Sequence, residues 1–191
     1  MKEIILASSS PRRKKLMKAT GLSVRVVVSK HKEIMDKTLK PAELVQKLAL
    51  EKAQAVGKTH ANVLIIGSDT FVVLGKEYLG KATSKLQAKE MLKKLSNKQH
   101  IVITGIAVLD SDTKSYKTDF TKVKVWVKKL SEQEIDSYIA KGAYKGKAGA
   151  YAMQEEGAMF IEKIQGNPAA AIGLPVLQLL KILKEFGISI L

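Results

Sequence analysis

The chain has 191 residues, 46% hydrophobic and 27% charged, which is enough apolar material for one well-packed domain with room for a small lobe. It has no cysteine, excluding disulfides, thiolate metal sites and cysteine nucleophiles, and no apolar run approaching the roughly 20 residues that span a bilayer. The formal net charge of +15 raises a polyanion as partner, but its lysines are spread along the whole chain with only 5% aromatic content, which argues for a solvated surface and against nucleic acid as the main ligand.

At the amino end, Met1-Lys2-Glu3 before Ile4-Ile5-Leu6 is too short for a secretory core, so a cytoplasmic protein is expected. Glu3 to Ala7 is a short apolar run bounded by serines, as a buried strand would be. Pro11 suits the first turn of a helix capped by Ser10, with Leu16, Met17 and Thr20 facing inward before Gly21 ends it. Leu22 to Ser29, rich in valine, predicts a second strand. A polar loop follows from His31 to Lys40, and a helix runs from Pro41 to about Val56.

Asn62 to Leu74 is nearly continuous apolar sequence interrupted by Gly67-Ser68-Asp69-Thr70, and Gly75-Lys76-Glu77 turns it into Tyr78-Leu79. Ser84 to Leu95 carries apolar residues at helical spacing. His100 to Leu109 and Ser115 to Val127 read as a long hairpin around Asp110-Ser111-Asp112-Thr113. Ser131-Glu132-Gln133-Glu134 is a capping box for a helix ending near Gly142, Gly146 to Gly149 is a glycine-bearing loop, and Leu174 to Phe186 is a terminal packed helix. Helices alternate with strands, but the hairpins exclude a purely parallel sheet. A mixed α/β sheet is expected, and no Pro- or Ser-rich linker divides residues 1–191 into two domains.

Three constellations could carry chemistry. Only three of the basic residues are arginine, and two of these, Arg12 and Arg13, follow Ser8-Ser9-Ser10-Pro11 between a strand and a helix. Helix N-terminal amides, hydroxyls and arginine forks together suit a polyphosphate, although a basic stretch on a helix surface is the plain alternative. Asp69 interrupts apolar sequence, where a carboxylate is expensive unless it is paired or bound. It could hold Mg²⁺ or take a proton from water, or simply turn the chain after Gly67. Lys52 is the only charge on the stripe Val45, Leu48, Ala49, Lys52 and Val56, and either faces a cleft or snorkels to water. Glu33 could supply a second carboxylate. His31, His60 and His100 are too scattered for a short metal motif, and no zincin, serine-hydrolase, Rossmann or Walker sequence occurs.

Several segments then stand in a telling order: Leu6-Ala7-Ser8-Ser9-Ser10-Pro11-Arg12-Arg13, Gly67-Ser68-Asp69-Thr70-Phe71-Val72-Val73, Leu79-Gly80-Lys81, His100-Ile101-Val102-Ile103-Thr104-Gly105, Lys147-Ala148-Gly149-Ala150-Tyr151-Ala152-Met153-Gln154 and Gly173-Leu174-Pro175. Over nearly the whole chain they resemble the Maf family of nucleoside triphosphate pyrophosphatases. The resemblance implies hydrolysis between the α and β phosphates to the monophosphate and pyrophosphate, with a divalent metal such as Mg, Mn or Co. It also implies a homodimer, and a mixed, elongated β-sheet flanked by helices with a central cleft, like the inosine triphosphate pyrophosphatases. On the family pattern Ser8, Arg12 and Arg13 meet the phosphates, and Asp69 is the proton acceptor or metal-linked base. Glu33, Lys52 and Lys81 complete the charged cleft, with Asp69 and Glu33 as the metal carboxylates.

The segment ending at Gln154 looks like the subgroup acting on dTTP and UTP, and Arg12, Thr70 and Gln154 match positions associated with that choice. The chain departs from the pattern at Ser68, where alanine is usual, at Ala82 and Ala143, and through Asn167 to Ile172. The expected function is therefore a house-cleaning pyrophosphatase for dTTP, UTP and modified pyrimidine triphosphates. The same reaction with another base choice, or a non-catalytic basic regulatory protein, are the competing readings.

Overall fold

In the computed structural model, residues 2–31, 33–36 and 38–188 are described, so Met1 and the loop lysines Lys32 and Lys37 lie outside the described residues. The chain runs β1 (Glu3–Leu6), α1 (Pro11–Ala19), β2 (Val24–Val26), α2 (Pro41–Gly57), β3 (Val63–Leu74), β4 (Glu77–Leu79), α3 (Lys85–Leu95), β5 (Gln99–Asp110), β6 (Tyr116–Val127), α4 (Glu132–Ala140), β7 (Ile161–Gln165), α5 (Pro168–Ile172) and α6 (Val176–Glu185). Seven strands form one sheet in the order β2-β1-β3-β5-β6-β7, with β4 on β3. β1 is parallel to β2 and β3, whereas β4 on β3 and β7 on β6 are antiparallel, which makes the sheet mixed as expected.

Three elements differ from the sequence reading. The second strand covers Val24–Val26 rather than Leu22 to Ser29, because it lies at the sheet edge against only Ile4, Ile5 and Leu6 of β1. The terminal helix begins at Val176 rather than Leu174, since Pro175 sits at its N-cap and Gly173 has φ +126°, a conformation that ends helical winding. Asp69 does not turn the chain: β3 runs unbroken through Gly67-Ser68-Asp69-Thr70.

The chain divides into two compact units, residues 1–69, 104–121 and 173–191 in the first and 70–103 and 122–172 in the second. In the first, side-chain alternation sorts two cores onto opposite sheet faces. Ile4 and Leu6 of β1, Leu64 and Ile66 of β3 and Ile106 and Val108 of β5 pack with Met17 of α1 and with Leu179, Ile182 and Leu183 of α6. Ile5, Val63, Ile65 and Leu109 pack with Ala53 and Val56 of α2. Each fully buried Leu or Ile contributes roughly 1.5–3 kcal/mol, and a one-residue slip of β3 would exchange the two sets.

Two glycines set how closely α2 approaches this sheet. A Cβ on Gly67 would stand 2.0 Å from the Ala49 carbonyl oxygen, and one on Gly105 would stand 2.4 Å from that of Val45. Neither distance is compatible with a side chain, so the helix lies against bare backbone.

The second unit packs Val72, α3, α4 and the inward residues of β6 around Phe160, with Tyr138 and Phe160 tilted at 4.9 Å between ring centroids. Ser131 caps α4 as its capping box predicts, accepting from the Glu134 N–H at 3.2 Å. Lys89 of α3 bridges Glu132 and Asp136 of α4.

Candidate active site

Six of the expected site residues, Ser8, Arg12, Arg13, Glu33, Lys52 and Asp69, belong to the first unit. The turn after β1 buries Ser8, whose Oγ accepts the Ser10 backbone N–H at 3.2 Å. Ser10 in turn caps α1 by accepting the Arg13 N–H at 3.5 Å, and the first turn carries no acidic side chain. The amides and the positive end of the helix dipole are thus set for an anion. Half-buried Arg13 donates from Nε to the Gly173 carbonyl at 2.7 Å and from Nη1 to Ser8 Oγ at 3.4 Å. Burial pulls its guanidinium pKa below the ordinary value, while the charges of Asp69 and Glu33 oppose that shift and Arg12 adds to it.

Asp69 and Lys52 occupy facing positions because of the glycine contact. Gly67 and Asp69 lie on the same face of β3, two residues apart, and Ala49 and Lys52 lie one helical turn apart on α2. With Ala49 against Gly67, Lys52 Nζ reaches Asp69 Oδ1, and the pair is almost fully enclosed, 7% and 4% exposed respectively. The same ammonium meets Glu33 Oε1 at 2.8 Å and the Ser68 carbonyl at 3.4 Å. A lysine ammonium has three protons, so these acceptors match its full donor capacity. Removing one partner from such a buried pair costs about 3–5 kcal/mol, which makes the arrangement stiff.

Lys52 is thereby resolved between its two sequence readings: it does not snorkel to water but holds two carboxylates. Arg12, Arg13 and Lys52 oppose Glu33 and Asp69, three cations to two anions. Among the described residues no group of three or more His, Cys, Asp or Glu could hold a metal ion. Two carboxylates without a third are nevertheless the donor set that suits Mg²⁺ shared with substrate phosphates, so Asp69 and Glu33 fit such an ion.

Thr70, Lys81 and Gln154 belong to the second unit. Thr70 is half-buried at the start of that unit's part of β3, Lys81 is exposed and bridges to Ala148, and Gln154 is exposed in a turn. The Lys147 to Gln154 segment is tightly held. Gly149 has φ +66° and donates its N–H to the Gly80 carbonyl at 3.0 Å, and a Cβ there would meet Val72 at 2.9 Å. Ala150 takes φ +65°, rare for a residue with a side chain. Lys147 Nζ bonds Glu155 at 2.6 Å as well as the Ala143 carbonyl. Tyr151 Oη lies 2.6 Å from Nε2 of His100, both buried, and desolvation pulls His100 down to about 4.

Sequence reasoning missed two groups in this arrangement, the Gly173 carbonyl and the Ser68 hydroxyl. A serine inside an otherwise apolar strand was the available signal for the second; a backbone carbonyl leaves none. The His100–Tyr151 pair was also unforeseen, because the two residues are fifty-one positions apart.

Comparison with known proteins identifies the family of the chain. A dTTP/UTP pyrophosphatase of Pelotomaculum thermopropionicum is 44% identical over 191 residues, covering 100% of both chains. One from Bacillus cereus is 40% identical over 190 residues, covering 100% of this chain and 93% of the relative. In fold, a HAM1 protein from Coxiella burnetii aligns with a TM-score of 0.55 at 15% identity, over 97% of this chain and 100% of that one. The family profile described as Maf-like protein matches residues 3–186, and the chain belongs to that family.

Proposed function

We propose that this chain hydrolyses dTTP and UTP between the α and β phosphates, giving the nucleoside monophosphate and pyrophosphate. The carrying observation is the enclosed Lys52–Asp69 pair, with exposed Glu33 on the same ammonium, beside Arg13 and the N-terminus of α1. The full-length relatives bearing the name dTTP/UTP pyrophosphatase support the choice of substrates.

In this reading the phosphate chain lies on the α1 amides, Ser8, Arg12 and Arg13. Arginine forks neutralise the oxygens on which charge grows as the anhydride breaks. Asp69 takes the proton of the water that attacks the α phosphorus, and Lys52 keeps that carboxylate in one orientation. A divalent cation held by Asp69 and Glu33 would supply further charge neutralisation and orient the phosphate oxygens. In the second unit, exposed Gln154 carries an amide donor and acceptor that would suit the imide edge of thymine or uracil.

The test is to incubate the purified chain with Mg²⁺, Mn²⁺ or Co²⁺ and dTTP, UTP, ATP or GTP, and to assay monophosphate and pyrophosphate separately. Both products should appear together, fastest from dTTP and UTP. Release of single phosphates, or no turnover across the panel, would overturn the reading.

A further inference from the structure

Ser68 and Asp69 are neighbours on β3 whose side chains leave the sheet on opposite faces. Asp69 points to α2 and Lys52. Ser68 points the other way, continuing the row of Leu64 and Ile66 that packs on α1 and α6. There it is fully buried, with Oγ 2.9 Å from the Gly105 carbonyl and 2.9 Å from the Gly173 carbonyl. A hydroxyl has one proton, so the two carbonyls share it in a three-centre bond.

The Gly173 carbonyl is the same group that accepts Arg13 Nε–H at 2.7 Å. Gly173 is buried and has φ +126°, a backbone conformation that glycine adopts readily. The carbonyl that orients Arg13 is thus also held by the Ser68 hydroxyl, which reaches it from the central strand. The backbone of Ser68 is itself anchored, since its carbonyl accepts Lys52 Nζ. A continuous path then runs from Lys52 through Ser68 and Gly173 to Arg13 and Ser8.

We propose that Ser68 is a positioning residue for Arg13: its hydroxyl fixes the Gly173 carbonyl, and that carbonyl sets the plane of the guanidinium relative to Asp69. Ser68 touches neither substrate nor water in this role. The part that concerns phosphate rests on the function proposed above, whereas the Ser68 to Arg13 coupling does not.

The experiment uses the full chain, with Ser68→Ala alone and combined with Arg13→Lys, which lacks the Nε donor. The first readout is the Arg13 Nε–H signal by proton–nitrogen NMR, assigned by its loss in Arg13→Lys. Ser68→Ala should speed its exchange with water by about fivefold, the worth of one ordinary hydrogen bond. The second is dTTP hydrolysis with Mg²⁺, in which KM should rise by a similar factor, about fivefold, with kcat little changed. In the Arg13→Lys background Ser68→Ala should add nothing further.

An unchanged Nε–H exchange rate, or an equal KM increase in both backgrounds, would overturn the proposal. If the unaltered chain fails to turn over dTTP, the function proposed above falls and the NMR readout still decides the coupling. Should Ser68→Ala not fold, Ser68→Cys supplies a weaker donor of similar shape. Its Nε–H exchange should then be faster than in the unaltered chain, and an equal rate would count against Ser68.

Discussion

Lys52 in the first unit and His100 in the second are both buried polar side chains, yet they are treated in opposite ways. Lys52 sits in an ion-paired cluster with Asp69 and Glu33, ringed by acceptors that match all its protons. His100 has one partner, Tyr151, and its Nδ1 has no hydrogen-bond partner among the described residues. Burial holds His100 neutral by lowering its pKa to about 4. Enclosed ion pairs are costly and are replaceable by apolar packing in many proteins, so the Lys52–Asp69 pair is the feature on which the proposed hydrolysis turns. A neutral histidine bonded to a tyrosine needs no such explanation, because it joins β5 to the segment preceding Gln154 without net charge.

That contrast can be broken most sharply at Asp69. Asp69→Asn retains shape and removes the proton acceptor, so dTTP turnover should fall roughly 10²–10⁴-fold while the circular dichroism of the fold is retained. Near-normal turnover would remove Asp69 from the chemistry and make the cluster merely structural.

A second substitution tests how the cluster is assembled. Gly67→Ala places a methyl carbon against the Ala49 carbonyl and must push α2 away from β3. A loss on the order of 3 kcal/mol in denaturant unfolding is expected, together with reduced turnover as Lys52 leaves Asp69. Unchanged stability would mean that the helix has room to retreat and that its close approach is not what aligns the pair.

The smallest effect belongs to His100. Between its folded value of about 4 and its ordinary 6.5, the unfolded chain binds a proton that the folded chain does not. Stability is thus little affected by this group well above pH 6.5 and falls as pH drops toward 4, by roughly 2–3 kcal/mol at pH 4.5. His100→Phe should remove that part of the pH dependence. The measurement is the difference between variant and unaltered chain in urea unfolding at pH 7 and pH 4.5. Parallel losses in the two proteins would show that His100 is not the group responsible.

Much of this architecture was legible along the chain for local reasons. Ser10 before Pro11 and Ser131 before Glu134 announced two helix starts, since capping depends on residues three or four apart. The apolar stripe of α2 singled out Lys52, and the break in apolar sequence singled out Asp69. Their meeting was less accessible, because it depends on Gly67 and Gly105 letting a helix lie on bare strand backbone. Lengths were also misread where neighbours decide them. β2 stops after three residues at a sheet edge, and the Asp69 tetrapeptide stays in strand because β3 is paired beyond it on β4.

By itself, then, the sequence determined the alternating helices and strands, the gathering of two of its three arginines at one helix start, and which charges stood in apolar surroundings. These are properties of composition, periodicity and short-range hydrogen bonding. Only the tertiary structure decided that Lys52 would face Asp69 and Glu33, that Arg13 would rest on the Gly173 carbonyl, and that His100 would bond Tyr151. Those contacts join residues from 17 to 160 positions apart, and they exist because backbone packing, which has no sequence period, brings the segments together.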